Sequence, residues 1–141
     1  MVTQMSALAV STLISTLPVQ SPVTNDKSAH KPIELRTVAQ FDTTITGYNT
    51  VPSQTWGNPC MAANGENICG LDRVAACPRR FEFGTLLRIR GNVYRCVDRL
   101  AYRYDHRVDI NCDKDLRCPA RVHGWETVEV VKYVETDGEL Q

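Results

Sequence analysis

An all-β domain, built as a small closed barrel or a sandwich, is the fold class this sequence predicts, and three observations carry it. From residue 39 onward, short runs rich in Val, Ile, Thr and aromatic residues alternate with turns bearing Gly, Pro and Asn. No heptad or helical stripe interrupts them. About six such runs fall within roughly a hundred residues, a spacing that suits closed or sandwiched β architectures.

The elements follow in chain order. Residues 5–19, MSALAVSTLISTLPV, are mildly apolar and stopped by Pro18. They read as the core of an export leader over 1–20 that lacks the usual basic start, or as a short helix of no targeting value. Residues 21–40 carry Pro, Ser, Thr and charges with few large apolar side chains, the composition of a flexible linker. The domain is expected over 41–136, with a tail at 137–141.

Within that domain, residues 41–48 (FDTTITGY) form the first strand, and 50–67, punctuated by Pro, Gly and Asn, form a loop. Residues 73–77 make a short apolar strand ended by Pro78. Residues 86–90 alternate Leu and Ile with Arg, and Gly91-Asn92 turns them into a second hairpin arm at 93–98. Residues 107–110 form another short strand, and 119–124 hold a single helical turn. Residues 127–134 alternate throughout, with Val128, Val130 and Val134 inward. No internal repeat is present.

Composition excludes some functions. Lys plus Arg number 16 and Asp plus Glu number 16, so the chain is neutral overall. Bulk electrostatic attachment to nucleic acid is therefore not expected. No span is long and apolar enough for a transmembrane helix.

Six cysteines lie in the strand-rich part: Cys60, Cys69, Cys77, Cys96, Cys112 and Cys118. An even number in a small domain predicts a disulfide-stapled exported protein. Zinc, with His106 or His123, is the alternative, but no C-x-x-C pair exists to support it. Six cysteines allow about fifteen pairings. Proximity favours Cys60 with Cys69 and Cys112 with Cys118, which leaves Cys77 for Cys96.

The stretch from Cys96 to Ile110 is where chemistry is expected. Two extended segments finish on or near Asp98 and Asp109, and between them runs a polar loop with Tyr102, Tyr104 and several arginines. Aspartate is a poor strand former, so an aspartate at each end of a loop marks either a site or a turn cap. Two nearby carboxylates suit glycoside chemistry, because like charges raise one pKa and keep an acid protonated. Arginine works against this. Alternation turns Arg99 away from Asp98, but Arg103 or Arg107 paired with Asp109 would make it a structural ion pair. Trp56 and Trp125 read as core or rim, and Glu126 and Glu129 as solvent-facing.

The order ITGYN, MAANG, VAAC, FGTLLRI, YRCVDR, RVDI, HGWETVEVV resembles the 3D domain, a family named for its three aspartates. It occurs in membrane-bound lytic transglycosylase A and in cell-wall proteins related to resuscitation-promoting factors. The likeness runs from about Thr44 to Val134. Gly84-Thr85 stands where the family has Gly-Thr before a strand, and the 61–65 turn resembles its Thr-Ala-x-Gly turn, with Met61 for Thr. The eleven-position separation of Asp98 and Asp109 matches the second and third family aspartates. The first falls at Cys77, and Asp98-Arg99-Leu100 replaces the transglycosylase's Asp-Thr-Gly-Gly.

The resemblance implies a six-stranded double-psi β-barrel with disulfide-stapled loops, exported to the periplasm or cell wall. It implies peptidoglycan as partner, a lytic transglycosylase-like activity without a cofactor or metal, and a monomer touching membrane only through its N-terminal segment. Asp109 matches the acting acid and Asp98 its supporting carboxylate. Tyr48, Arg99, Tyr102 and Tyr104 are the candidate sugar contacts: Tyr48 matches an aromatic near the family's cleft or packs as a strand-end residue, and on the residues alone Tyr102 and Tyr104 either stack on sugar rings or are half-buried anchors of the loop. A carbohydrate-binding or wall-associated module without turnover is the rival reading.

Overall fold

The computed structural model describes residues 31–137. Six strands close into a barrel: β1 (Ile33–Tyr48), β2 (Val74–Ala76), β3 (Leu86–Ile89), β4 (Asn92–Asp98), β5 (Val108–Asn111) and β6 (Gly124–Glu135). Around the barrel their order is β1-β5-β2-β4-β3-β6. β1 runs parallel to β5 and β2 parallel to β4; the other neighbours are antiparallel. One short helix, α1 (Cys118–Val122), and a 3₁₀ turn at Tyr102–Tyr104 complete the regular structure.

Alternation builds the core. Ile45, Leu87, Ile89, Val108, Ile110, Val128 and Val130 project inward from four strands and pack around Ala75, Cys77 and Cys96. A second cluster, Ala62, Ile68, Val74 and Val97, lies on the outer face beneath the 50–72 loop, with Tyr48 packed against it. β2 is therefore buried on both sides, which explains why its sequence is the uninterrupted Val-Ala-Ala.

The linker expected over 21–40 ends before Ile33, because residues 33–40 are the first part of β1. They pair with β6 from Ile33 opposite Glu135 to Gln40 opposite Glu129, with a register shift between Thr37 and Ala39. Both faces of that ribbon meet solvent, so Glu34 and Arg36 are tolerated and the segment carries linker-like composition. The partner strand, not the local composition, makes it extended. β6 likewise begins at Gly124, three residues before its expected start. The leader, the start of the linker and residues 138–141 of the tail lie outside the described residues.

The hairpin turn sits one residue earlier than Gly91-Asn92. Arg90 (φ 49°) and Gly91 (φ 76°) are both left-handed, and Ile89 pairs with Asn92 to close a two-residue turn. Positive φ at both central residues matches the right-handed twist of the flanking strands.

The cysteines form Cys60–Cys69, Cys77–Cys96 and Cys112–Cys118, the pairing that proximity favours. No thiolate is left for the zinc alternative. Cys77–Cys96 ties the end of β2 to β4 inside the core. Cys112–Cys118 ties the end of β5 to α1, which lies so close to β1 that a Cβ on Gly47 would stand 2.8 Å from Val122 Cγ2. Three disulfides are the mark of an oxidising, extracytoplasmic environment.

Candidate active site

Asp109 lies between Val108 and Ile110, whose side chains enter the core, so the strand's pleat turns the carboxylate to the outer face. Asp98 reaches the same face by another route. Cys96 points into the core, and strict alternation would send Asp98 there too. A register shift intervenes: Ala75 pairs with Cys96 but Ala76 with Asp98, leaving Val97 as the extra residue of a bulge. Bulges re-aim side chains in this way.

The two carboxylates then fall in one row across the sheet. Ala76 of β2 pairs with Asp98 on one side and Asp109 on the other, and Thr46 of β1 pairs with Asp109. Two strand spacings, about 10 Å, separate the aspartate backbones. Alanine between them leaves the row open at its centre.

Asp98 is held firmly. Its Oδ1 accepts from the backbone N–H of Ala63 (2.9 Å) and of Arg99 (2.8 Å), and its Oδ2 accepts from the Tyr48 hydroxyl (3.1 Å). The Ala63 donor comes from the 61–65 turn, whose Asn64 N–H also binds the Val97 carbonyl. Burial and the facing Asp98 charge push the Tyr48 phenol far above its ordinary range, so it remains a hydrogen-bond donor.

Asp109 is less constrained. Its Oδ1 accepts a 2.7 Å hydrogen bond from the Thr46 hydroxyl. Burial raises its pKa, the Thr46 bond and the Arg107 charge pull it down, and the Asp98 charge adds to the rise; the net direction is upward. Among the described residues, neither aspartate forms an ion pair. Arg107 thus acts on Asp109 only through space.

Both carboxylates open on a groove of about 490 Å³ whose walls include Tyr48, Trp56, Arg99, Tyr104 and Arg107. Of the expected sugar contacts, Tyr48 serves Asp98, and Tyr104 lines the groove beneath the Arg103 and Arg107 guanidiniums. Arg99 contributes a wall, but its guanidinium donates to the Cys77 and Phe81 carbonyls over the Phe83 ring. Tyr102 is exposed and stacks with Arg79, which the Asp105 carboxylate anchors.

Three participants escaped the sequence reading. Thr46 became visible only through the parallel pairing of β1 with β5. Arg79 anchors the 99–107 loop through Asp105 and the Leu100 carbonyl. Trp56, read as core or rim, is fully exposed at the groove's edge; its place within a Pro- and Gly-rich loop was the one available signal. Trp125 is exposed as well. Glu126 and Glu129 are not free on the surface but pair with Arg90 and Arg88. Among the described residues, no cluster of three His, Cys, Asp or Glu side chains is placed to hold a metal ion.

No protein-family model matches this chain, and no curated protein matches it.

Proposed function

We propose that this protein is a 3D-type double-psi barrel that cleaves the glycan strands of peptidoglycan as a lytic transglycosylase, exported to the periplasm or cell wall. Asp109 is the general acid and base, and Asp98 the supporting carboxylate. The observation that carries the reading is the condition of Asp109. It is partly buried, raised in pKa, free of any ion pair among the described residues and open to a groove of about 490 Å³.

In this mechanism protonated Asp109 donates its proton to the glycosidic oxygen as the bond from that oxygen to the anomeric carbon breaks. The cleaved sugar's own hydroxyl then attacks the anomeric carbon, and its proton passes to the Asp109 carboxylate. An anhydro ring closes, water is not consumed and the acid is regenerated. Such a cycle needs one working acid, which fits two carboxylates set apart across Ala76 rather than sharing a proton. The Asp98 charge favours protonated Asp109 and stabilises positive charge developing on the sugar. Parallel pairing of β1 with β5 and of β2 with β4 supports the double-psi assignment, as does the 61–65 turn cradling Asp98.

The second reading is a wall-binding module without turnover, and the exposed Trp56 serves both readings, since its aromatic face can stack on a sugar ring in either case. Asp109→Asn separates them. If Asp109 is the acid, the substitution lowers release of anhydro-sugar fragments from purified wall by about 10²–10⁴-fold while co-sedimentation with wall persists. Absence of anhydro fragments from the unsubstituted protein leaves only the binding module.

A further inference from the structure

The sheet face that carries Asp109 continues past the groove. Ile45 turns into the core, so its neighbours Thr44 and Thr46 face outward from β1, and Thr46 is the residue that donates to Asp109. On β6, Val128 turns inward and Thr127 outward, where the Thr127 hydroxyl donates to the Asp42 carboxylate at 2.6 Å. Trp125, two residues before Thr127 and paired with Thr44, therefore stands on the same outer face as Asp109. It is 71% exposed and takes no part in the groove's walls. From Asp109 the sheet crosses β1 to reach Trp125 on β6, two strand spacings or about 10 Å away.

We propose that Trp125, with Thr44, Asp42 and Thr127 beside it, is a second sugar platform that takes an uncharged ring of the glycan away from the bond to be cleaved. The platform rests on the proposed function and deepens it, because it makes long strands the preferred substrate over short ends. An exposed indole presents a flat apolar face on which the C–H face of a pyranose ring can stack. The hydroxyls at the rim of that ring need polar partners, and the platform supplies them. Thr44 lies directly opposite Trp125, and Asp42 and Thr127 form the next pair along the same face of the two strands. The Thr127 bond steadies the Asp42 carboxylate, whose charge repels an anionic substituent and so favours an uncharged ring. Pairing of β1 with β6 keeps one register from Ala39 opposite Val130 to Ile45 opposite Gly124, which fixes the platform's distance from the acid. One ring cannot touch Asp109 and Trp125 at once. The sugar on the indole is therefore a more distant member of the chain cut at Asp109.

Trp56 and Trp125 are the two tryptophans of the chain, so Trp56→Phe leaves Trp125 as the sole indole reporter. Asp109→Asn is combined with it so that ligand is not consumed. The probes are an octasaccharide and a disaccharide prepared from peptide-free wall glycan. Bound octasaccharide should move the Trp125 emission to shorter wavelength and reduce its quenching by acrylamide; the disaccharide should do neither. In calorimetric titrations of Asp109→Asn protein, adding Trp125→Ala should weaken octasaccharide binding about three- to tenfold and disaccharide binding by less than about twofold. Trp125→Phe, which keeps an aromatic face, should retain most of the octasaccharide affinity. An unresponsive Trp125 with octasaccharide bound, equal losses for the two lengths, or no octasaccharide binding would overturn the platform. Anhydro-sugar release by protein with Asp109 intact is scored separately. Release with an unresponsive Trp125 sinks the platform alone; a responsive Trp125 without release sinks the reading of the acid and leaves the platform on a binding module.

Discussion

Thr46 and Asp109 show how a single hydroxyl can tune an acid. The hydroxyl donates to the carboxylate and favours its ionised form, against the burial that favours the protonated one. Thr46→Val removes the opposing contribution, so the Asp109 pKa rises further. If Asp109 is the acid of the proposed reaction, the alkaline limb of kcat/KM, which reports loss of the protonated acid, should then move to higher pH in a pH–rate profile. Stability carries the same sign. A carboxyl whose folded pKa is raised contributes stability that is present below its unfolded pKa and lost as pH rises through the folded value. Asp109→Asn cannot ionise yet still accepts from Thr46, so it should melt higher than the parent at neutral pH. That advantage should fade as pH falls into the ordinary carboxylate range, near 4. Both aspartates were legible as unusual strand-end residues, whereas Thr46, 63 positions away, is one of several threonines in a strand and nothing local distinguishes it.

The bulge in β4 and the length of β1 belong to the scale of elements, and both depend on partners. Alternation alone places Asp98 on the same side as Cys96; the extra residue at Val97 reverses this, and only the pairing with β2 reveals it. Residues 33–40 read as linker because their strand character comes from β6. Close approach of elements can be tested at Gly47, where α1 crosses β1. A Cβ there would sit 2.8 Å from both Cys112 Sγ and Val122 Cγ2, and 3.0 Å from the Pro119 Cα. Gly47→Ala should therefore cost about 1–3 kcal/mol in denaturant unfolding. Since Gly47 separates Thr46 from Tyr48, the same substitution should also lower the proposed glycan cleavage by displacing the partners of both carboxylates.

At the scale of the whole molecule, period-two alternation made an all-β barrel or sandwich legible, and even cysteine count with proximity made the three bridges legible. The strand order was not. Among barrel neighbours only β3 and β4 are consecutive in the chain, joined by a two-residue turn. Every other contact closes a long loop whose partner no local pattern specifies. That order nonetheless makes the site, since it puts β2 between β4 and β5 and sets Ala76 between two acids far apart in sequence. The most direct measurement of the central claim is mass spectrometry of glycan fragments released from purified wall in ¹⁸O-water. If Asp109 drives intramolecular ring closure, the new ends are one water lighter than hydrolysis products and carry no ¹⁸O, and Asp109→Asn yields none. Ends that carry ¹⁸O, or fragments released equally by Asp109→Asn, would contradict the account.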